Sequence, residues 1–281
     1  MIGLIIQARS RSKRFPNKIM ADLCGKPMIE HVIQRAAAAK IPELVVVAMP
    51  EEDCVDRDHK SLPVGERVRK IASKHRAEVY VPDTAQGSDD VLTRFYKTAC
   101  HYHMNQIVRV TGDCPLIDPA IIDRCLMEFM VNRNAIEYVT NSIQRIHPRG
   151  MDVEVFSFNA LEQAFKKSCL EDSAAFDQEH VTPYIRRNPK TFLHKDLGVN
   201  PLLEGMDLRL CVDYPEDLEL VRAVYKACTK QLHNSAIPEG VQKQNPHITG
   251  QYPMFGVCEI KKAYEANPTW ININGKYRQA G

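Results

Sequence analysis

The first six residues, Met1 to Ile6, are apolar enough for a buried strand. The chain then passes at once into a polar loop, Gln7 to Lys18, where Arg9, Arg11, Lys13, Arg14 and Lys18 place five cations within ten residues. Gly25-Lys26-Pro27 leads on to Met28, Ile29, Val32, Ile33 and Ala36, whose recurrence at 3.6-residue spacing predicts a helix with one stripe against a core. Strand, loop and helix in this order begin a parallel crossover unit. The loop then lies at the carboxyl end of the first strand, where open α/β sheets bind ligands. Arg offers planar two-pronged hydrogen bonding and Lys a compact point charge, so this loop is suited to a nucleoside triphosphate. It has neither the spacing of a P-loop nor the Gly-x-Gly-x-x-Gly dinucleotide fingerprint, which argues against kinases and dehydrogenases.

The alternation continues. Strands are expected at Glu43 to Ala48, Glu78 to Val81 and Ile107 to Val110, and helices at Val64 to His75, Val91 to Tyr102 and Pro119 to Val131, with a polar surface loop from Pro50 to Ser61. Ser88 or Asp89 can cap the third helix, with Asp90 complementing its dipole. Asp113 directly follows the central strand in Thr111-Gly112-Asp113-Cys114-Pro115. That position makes it a turn residue or a ligand for Mg²⁺, which on phosphates needs only one or two carboxylates. Asp118 is expected to cap the next helix. Short strands follow at Ile136 to Thr140 and Met151 to Phe156, where a period of two puts Asp152 and Glu154 on one face, for substrate or for solvent. A helix from Asn159 to Lys167, an acidic linker from Glu171 to Asp177, a strand from Leu208 to Val212 and a helix from Pro215 complete the pattern. Asp213 stands between the last two.

Length allows one large α/β domain or two small ones. A net charge of +2 gives no general reason to expect nucleic acid or membrane partners. No apolar run approaches the roughly 20 residues that span a bilayer, and none near the start suits a signal peptide, so a cytoplasmic protein is expected. The nine cysteines are scattered without a Cys-x-x-Cys pair and read as reduced, mostly buried thiols.

Ala8-Arg9-x-x-Ser12-x-Arg14-x-Pro16-x-Lys18 with Gly25-Lys26-Pro27 resembles the opening signature of the cytidylyltransferases that make CMP-activated acidic sugars. The nearest branch is the spore-coat-polysaccharide group, related to CMP-KDO and CMP-sialate synthetases. The resemblance implies a three-layer α/β/α Rossmann-like nucleotide-diphospho-sugar transferase fold with a mostly parallel mixed sheet. The nucleotidyltransferase domain would span 1–229, with acceptor and dimer contacts at about 140–200, and a C-terminal extension of unknown role would span 230–281. It implies CTP held by Ala8, Arg9, Ser12, Arg14, Lys18 and Lys26, with Ser88 and Asp90 beside the nucleotide, and Mg²⁺ on Asp113 and Asp213. Arg14, Lys18 and the two aspartates would carry catalysis. Arg149, Asp152, Glu154 and His180 would contact the acceptor, an acidic sugar or a sugar or polyol phosphate, in a homodimer. A glycosyltransferase of related fold would need an Asp-x-Asp motif, which Gly112-Asp113 lacks; a non-catalytic nucleotide-binding protein is the other alternative.

Overall fold

The computed structural model describes residues 1–55, 62–83, 87–145, 147–169, 174–198, 203, 206–234 and 254–277. Residues 56–61 of the expected surface loop and 171–173 of the expected acidic linker lie outside them.

Strand β1 (Ile2–Gln7) is followed by a small hairpin of β2 (Asp22–Leu23) and β3 (Lys26–Pro27), helix α1 (Met28–Ala36) and strand β4 (Leu44–Ala48). Helix α2 (Val64–Lys74), β5 (Glu78–Tyr80), α3 (Val91–His101), β6 (Gln106–Thr111) and α4 (Pro119–Val131) continue the alternation. Then come β7 (Tyr138–Thr140), β8 (Glu154–Ser157), α5 (Phe158–Ser168), α6 (Ala174–His180), α7 (Pro183–Arg187), β9 (His194–Asp196), α8 (Pro215–Asn234) and α9 (Val257–Glu265). The main sheet has seven strands in the order β5-β4-β1-β6-β8-β7-β9. Only β8 runs against its neighbours, so the sheet is mixed and mostly parallel.

Each face of the sheet is covered, as parallel strands require. Alternate residues of β1 show this directly. Leu4 and Ile6 join a core built with α1, α2, α4, α8 and α9, while Ile5 joins a second core built with α3, α5 and Val181. The result is three layers, α/β/α. Asp118 caps α4 as expected, accepting from Ala120 N at 2.9 Å, whereas the cap of α3 is Asp90, which accepts from Thr93 N at 3.1 Å, in place of the expected Ser88 or Asp89.

Three expectations are corrected. Leu208 to Val212 joins no sheet. It crosses the strand ends, held by one bridge between Arg149 and Arg209 and by Val212 N donating to Asp113 O at 2.8 Å. Part of the acidic linker is helical, in α6. All nine cysteines are free, but only Cys114, Cys125 and Cys228 are buried. Helix α8 runs without a break past residue 229, and Phe255, Val257, Ile260 and Trp270 share the first core with α1 and α4. No helix of the described residues is long and apolar enough to cross a membrane.

One core histidine gives the fold an acid limit. His31 is 2% exposed and its Nε2 donates to Leu23 O at 2.8 Å, a bond the neutral ring makes. Burial pushes its imidazole down to about 4, against an ordinary 6.5. The folded protein therefore holds this ring neutral while the unfolded chain takes up a proton. The ring's contribution is complete above pH 6.5 and is lost as pH falls toward 4, amounting to about 2 kcal/mol at pH 5. In urea unfolding at pH 7.5 and pH 5, the stability lost by His31→Gln on acidification should be smaller than wild type by about that amount. Equal losses would exclude this role.

Candidate active site

A cavity of about 490 Å³ opens at the carboxyl ends of β1 and β6 and is walled by the cationic loop. The loop is folded by its own polar groups. Ser10 N donates to Asp53 Oδ2 at 2.7 Å, Asn17 N to Ser10 O at 2.9 Å and Phe15 N to Ser12 Oγ at 3.4 Å. Asn17 takes the left-handed conformation, φ 61°, which Asn tolerates better than most residues, and so turns Lys18 inward. Across the cavity, Gly112 N donates to Gln7 O at 2.8 Å, and a Cβ at Gly112 would stand 2.9 Å from that same oxygen. Glycine is needed there for the two strand ends to approach.

Asp113 and Asp213 meet on one cation. The Lys18 ammonium, 8% exposed, donates to Asp113 Oδ2 at 2.9 Å, Asp213 Oδ1 at 3.0 Å and Val212 O at 2.8 Å. All three of its protons are used. Burial opposes charge on both partners, but their attraction prevails, holding the Asp113 carboxyl down at about 2 and raising Lys18 to about 12. Asp213 also receives Arg14 Nη2 at 2.9 Å and Arg209 Nη2 at 2.6 Å. Fully buried Asp217 fixes that turn by accepting from the amides of Asp213 and Tyr214 at 2.9 and 3.0 Å, and from Arg209 Nε at 3.2 Å. The cationic loop at the mouth of a parallel sheet can neutralise and orient a polyphosphate, and the two carboxylates converging beside it can hold a cation against that polyphosphate.

Residues 4–243 match the family model described as Cytidylyltransferase. The chain belongs to the cytidylyltransferase family. The Bacillus subtilis spore coat polysaccharide biosynthesis protein SpsF is 28% identical over 231 residues, covering 80% of this chain and 86% of its own. The 3-deoxy-manno-octulosonate cytidylyltransferase of Brucella anthropi is 38% identical over 125 residues, 44% of each chain. A solved cytidylyltransferase structure from Leptospira borgpetersenii serovar Hardjo-bovis superposes with a TM-score of 0.74 at 27% identity, over 96% of both chains. The enzyme is therefore a CTP-dependent nucleotidyltransferase with the expected fold.

Of the residues expected at the nucleotide, this cytidylyltransferase places Ala8, Arg9, Ser12, Arg14, Lys18, Asp113 and Asp213 on the cavity wall. His180 is there too, its imidazole lowered by burial. Arg9 pairs with Asp89 and with Glu179 Oε1, the latter at 3.0 Å, which ties the loop to α6. Three others lie off the wall. Lys26 has its ammonium 3.5 Å from Glu30 on α1, Ser88 offers its carbonyl to Arg94, and Asp90 is buried as the cap of α3. Of the three residues Ser88, Asp89 and Asp90, it is Asp89 that reaches the cavity.

Glu154 is corrected as well. It is 6% exposed, accepts from Tyr138 Oη at 2.5 Å and Thr182 Oγ1 at 2.7 Å, and pairs with Arg109. Antiparallel pairing of β8 with β6 puts Glu154 opposite Arg109, so it anchors that arginine beneath the cavity instead of meeting substrate. Arg149 and Asp152 line a neighbouring cavity. Arg109, Arg94, Arg11 and Lys13 complete the nucleotide-side wall. Arg109 was legible: it shares a strand face with Thr111, one period of two from the cavity floor. Arg94, buried on a helix, carries no local signal.

Proposed function

We propose that the enzyme transfers CMP from CTP to an acidic sugar or to a sugar or polyol phosphate, for surface polysaccharide or glycoconjugate synthesis. The observation that carries this is the convergence of Asp113 and Asp213 on one cationic point beside the Arg9, Arg14 and Lys18 loop. The name of SpsF supports the polysaccharide role, and that of the Brucella enzyme an acidic-sugar acceptor. An acceptor oxygen forms a bond to the α-phosphorus while the bond to the β-phosphate oxygen breaks, and pyrophosphate leaves with the electron pair. If the acceptor oxygen is a hydroxyl, its proton passes to solvent. Arg9 and Arg14 hold the triphosphate and neutralise the leaving pyrophosphate, Lys18 adds its positive charge from between the two aspartates and can turn an N–H to phosphate where a metal ion takes its place there, and the Ser12 hydroxyl donates to a phosphate oxygen.

The donor set fits Mg²⁺: two hard carboxylate oxygens already arranged about a shared positive charge, the number such sites need when phosphates and water supply the rest. Asp113 and Asp213 would hold it, and when bound it supplies charge neutralisation at the α-phosphate and acidifies the acceptor hydroxyl. We place the enzyme in the cytoplasm, where CTP is made available. A homodimer is supported by exposed Met127, Met130 and Val131 on α4 and by exposed Leu193 beside the edge strand β9. Light scattering that gives a monomer would remove that assignment.

Pyrophosphate release is the test. The protein is incubated with Mg²⁺, each nucleoside triphosphate in turn, and a panel of acidic sugars and sugar phosphates. Release is expected with CTP and only with an acceptor present. Equal release with UTP, or release from no nucleotide, would overturn the reading.

A further inference from the structure

A second cavity, of about 350 Å³, adjoins the first, and Arg14 and Asp213 line both. Besides Arg14 of the cationic loop, its walls come from three distant parts of the chain. Arg149 and Asp152 precede β8, Arg209 and Tyr214 flank the strand-end crossing, and Lys276 and Tyr277 belong to the C-terminal part. Gly150 brings the first two together. At φ +96° it is open to glycine alone, a Cβ there would stand 2.4 Å from the Cys211 amide nitrogen, and Leu210 N donates to Arg149 O at 2.7 Å.

The C-terminal part is fixed at both ends, to the core at one and to the site at the other. Buried Arg35 donates to Phe255 O at 2.6 Å, and Asp118, already the cap of α4, accepts from Val257 N at 2.8 Å. At the other end Asn274 Nδ2, 1% exposed, donates to Arg209 O at 3.0 Å and Asp217 Oδ1 at 2.8 Å. Tyr277 stacks on Tyr214 with ring centroids 3.7 Å apart and planes 4° from parallel, and Lys276 Nζ reaches Glu216 Oε1 at 2.7 Å. Residues that anchor the C-terminal part thus also hold the turn that carries Asp213.

The lining carries four cations, Arg14, Arg149, Arg209 and Lys276, against the two carboxylates Asp152 and Asp213. We infer that this cavity seats a phosphate monoester borne by the acceptor and that residues 254–277 complete its wall. The inference rests on the cytidylyltransferase reading of the neighbouring cavity and narrows its acceptor to the phosphorylated class. Glu216 and Asp217 lie behind the lining and pair with Lys276 and Arg209, so what favours a phosphate monoester over a carboxylate is not net charge but the three guanidinium groups on the wall, whose forked donors can span the several oxygens of a phosphate. Arg14 and Arg209 use only part of their donor sets on Asp213 and Asp217, which leaves N–H groups for an anion. The stacked tyrosines offer a flat wall to the C–H surface of the phosphate's carrier.

The test uses the full chain with Mg²⁺ and α,β-methylene-CTP, so that the first cavity is filled, and calorimetric titration with inorganic phosphate or acetate. Phosphate is expected to bind at least about tenfold more tightly than acetate. Lys276→Ala, at an exposed side chain, and Arg149→Ala should each weaken phosphate at least about tenfold more than they weaken the nucleotide analogue. Lys166→Ala on distant α5 should change neither. Three results would overturn the inference while leaving the nucleotide site intact: normal analogue binding without phosphate binding, phosphate binding indifferent to both substitutions, or acetate binding as tightly. Failure of the analogue itself to bind would remove the underlying reading and this inference with it.

Discussion

Replacing Asp113 with asparagine is expected to lower kcat for pyrophosphate release by at least about a hundredfold, the scale of lost transition-state electrostatics. Asparagine keeps the shape and one acceptor oxygen but not the charge. Burial alone would push the Asp113 carboxyl up, yet Lys18 and the Thr111 hydroxyl at 2.6 Å hold it at about 2, so it is ionised wherever the enzyme works. The variant removes a charge that is always present. Its cost to folding follows the same shift: a depressed carboxyl contributes stability above its ordinary 3.8 and loses it as pH falls toward 2. Discounted for the partial exposure of the side chain, that contribution is about 1–2 kcal/mol, a minority of a typical domain's stability. The variant should therefore remain folded, with its denaturation midpoint modestly lowered, while turnover at saturating CTP and Mg²⁺ collapses. Unchanged turnover would remove Asp113 from the chemistry.

How much of this was legible depends on the range over which each feature is decided. The β1–loop–α1 opening and the strand-end position of Asp113 are local: apolar runs, helical spacing and a Gly-Asp turn announce them. The meeting of Asp113 with Asp213 was inferred from two separate strand ends and a family resemblance, and the structure joins them. The means is not local. The 208–212 segment was expected to be another strand, but it crosses the sheet end and pairs its Val212 amide with Asp113 O. Lys18 was read as a phosphate ligand, and nothing in its neighbourhood says that it also sits between two aspartates. The alternation from Met151 holds, with Met151, Val153 and Val155 in the first core and Glu154 on the opposite face, but Arg109, Tyr138 and Thr182 close over Glu154 there, which no local pattern announces. The C-terminal part offered no periodic signal beyond a short apolar run. Its place is decided by Arg35, Asp118 and Asp217, side chains up to more than two hundred residues away that also serve the core and the site.

Lys18→Met should be the most destabilising single change at the site, costing about 2–4 kcal/mol in EDTA, because removing one partner of a buried ion pair strands the other. Methionine fills the same unbranched volume, so the loss is electrostatic. The two aspartates are not equally exposed to it. Asp213 keeps Arg14 and Arg209, whereas Asp113 keeps only the Thr111 hydroxyl and the Cys114 thiol among the described residues. Adding Asp113→Asn to Lys18→Met should therefore restore about 1 kcal/mol or more, a coupling of the size found between contacting residues. The pH window follows from the shifts. The Asp113 contribution is whole above 3.8, and that of Lys18, whose ammonium is raised to about 12, is whole below 10.5 and is lost as pH rises through 12. Between roughly pH 4 and pH 10 the gap between wild type and variant should then be flat. Magnesium should stabilise Lys18→Met more than it stabilises wild type, since ion and ammonium answer to the same two carboxylates and a ligand stabilises the state that binds it. Urea midpoints for the wild type, both single variants and the double variant, each with EDTA and with Mg²⁺, test every part of this. If Asp113→Asn added its full cost to that of Lys18→Met, the two side chains would not be coupled, and the shared cation point on which the site is built would be lost.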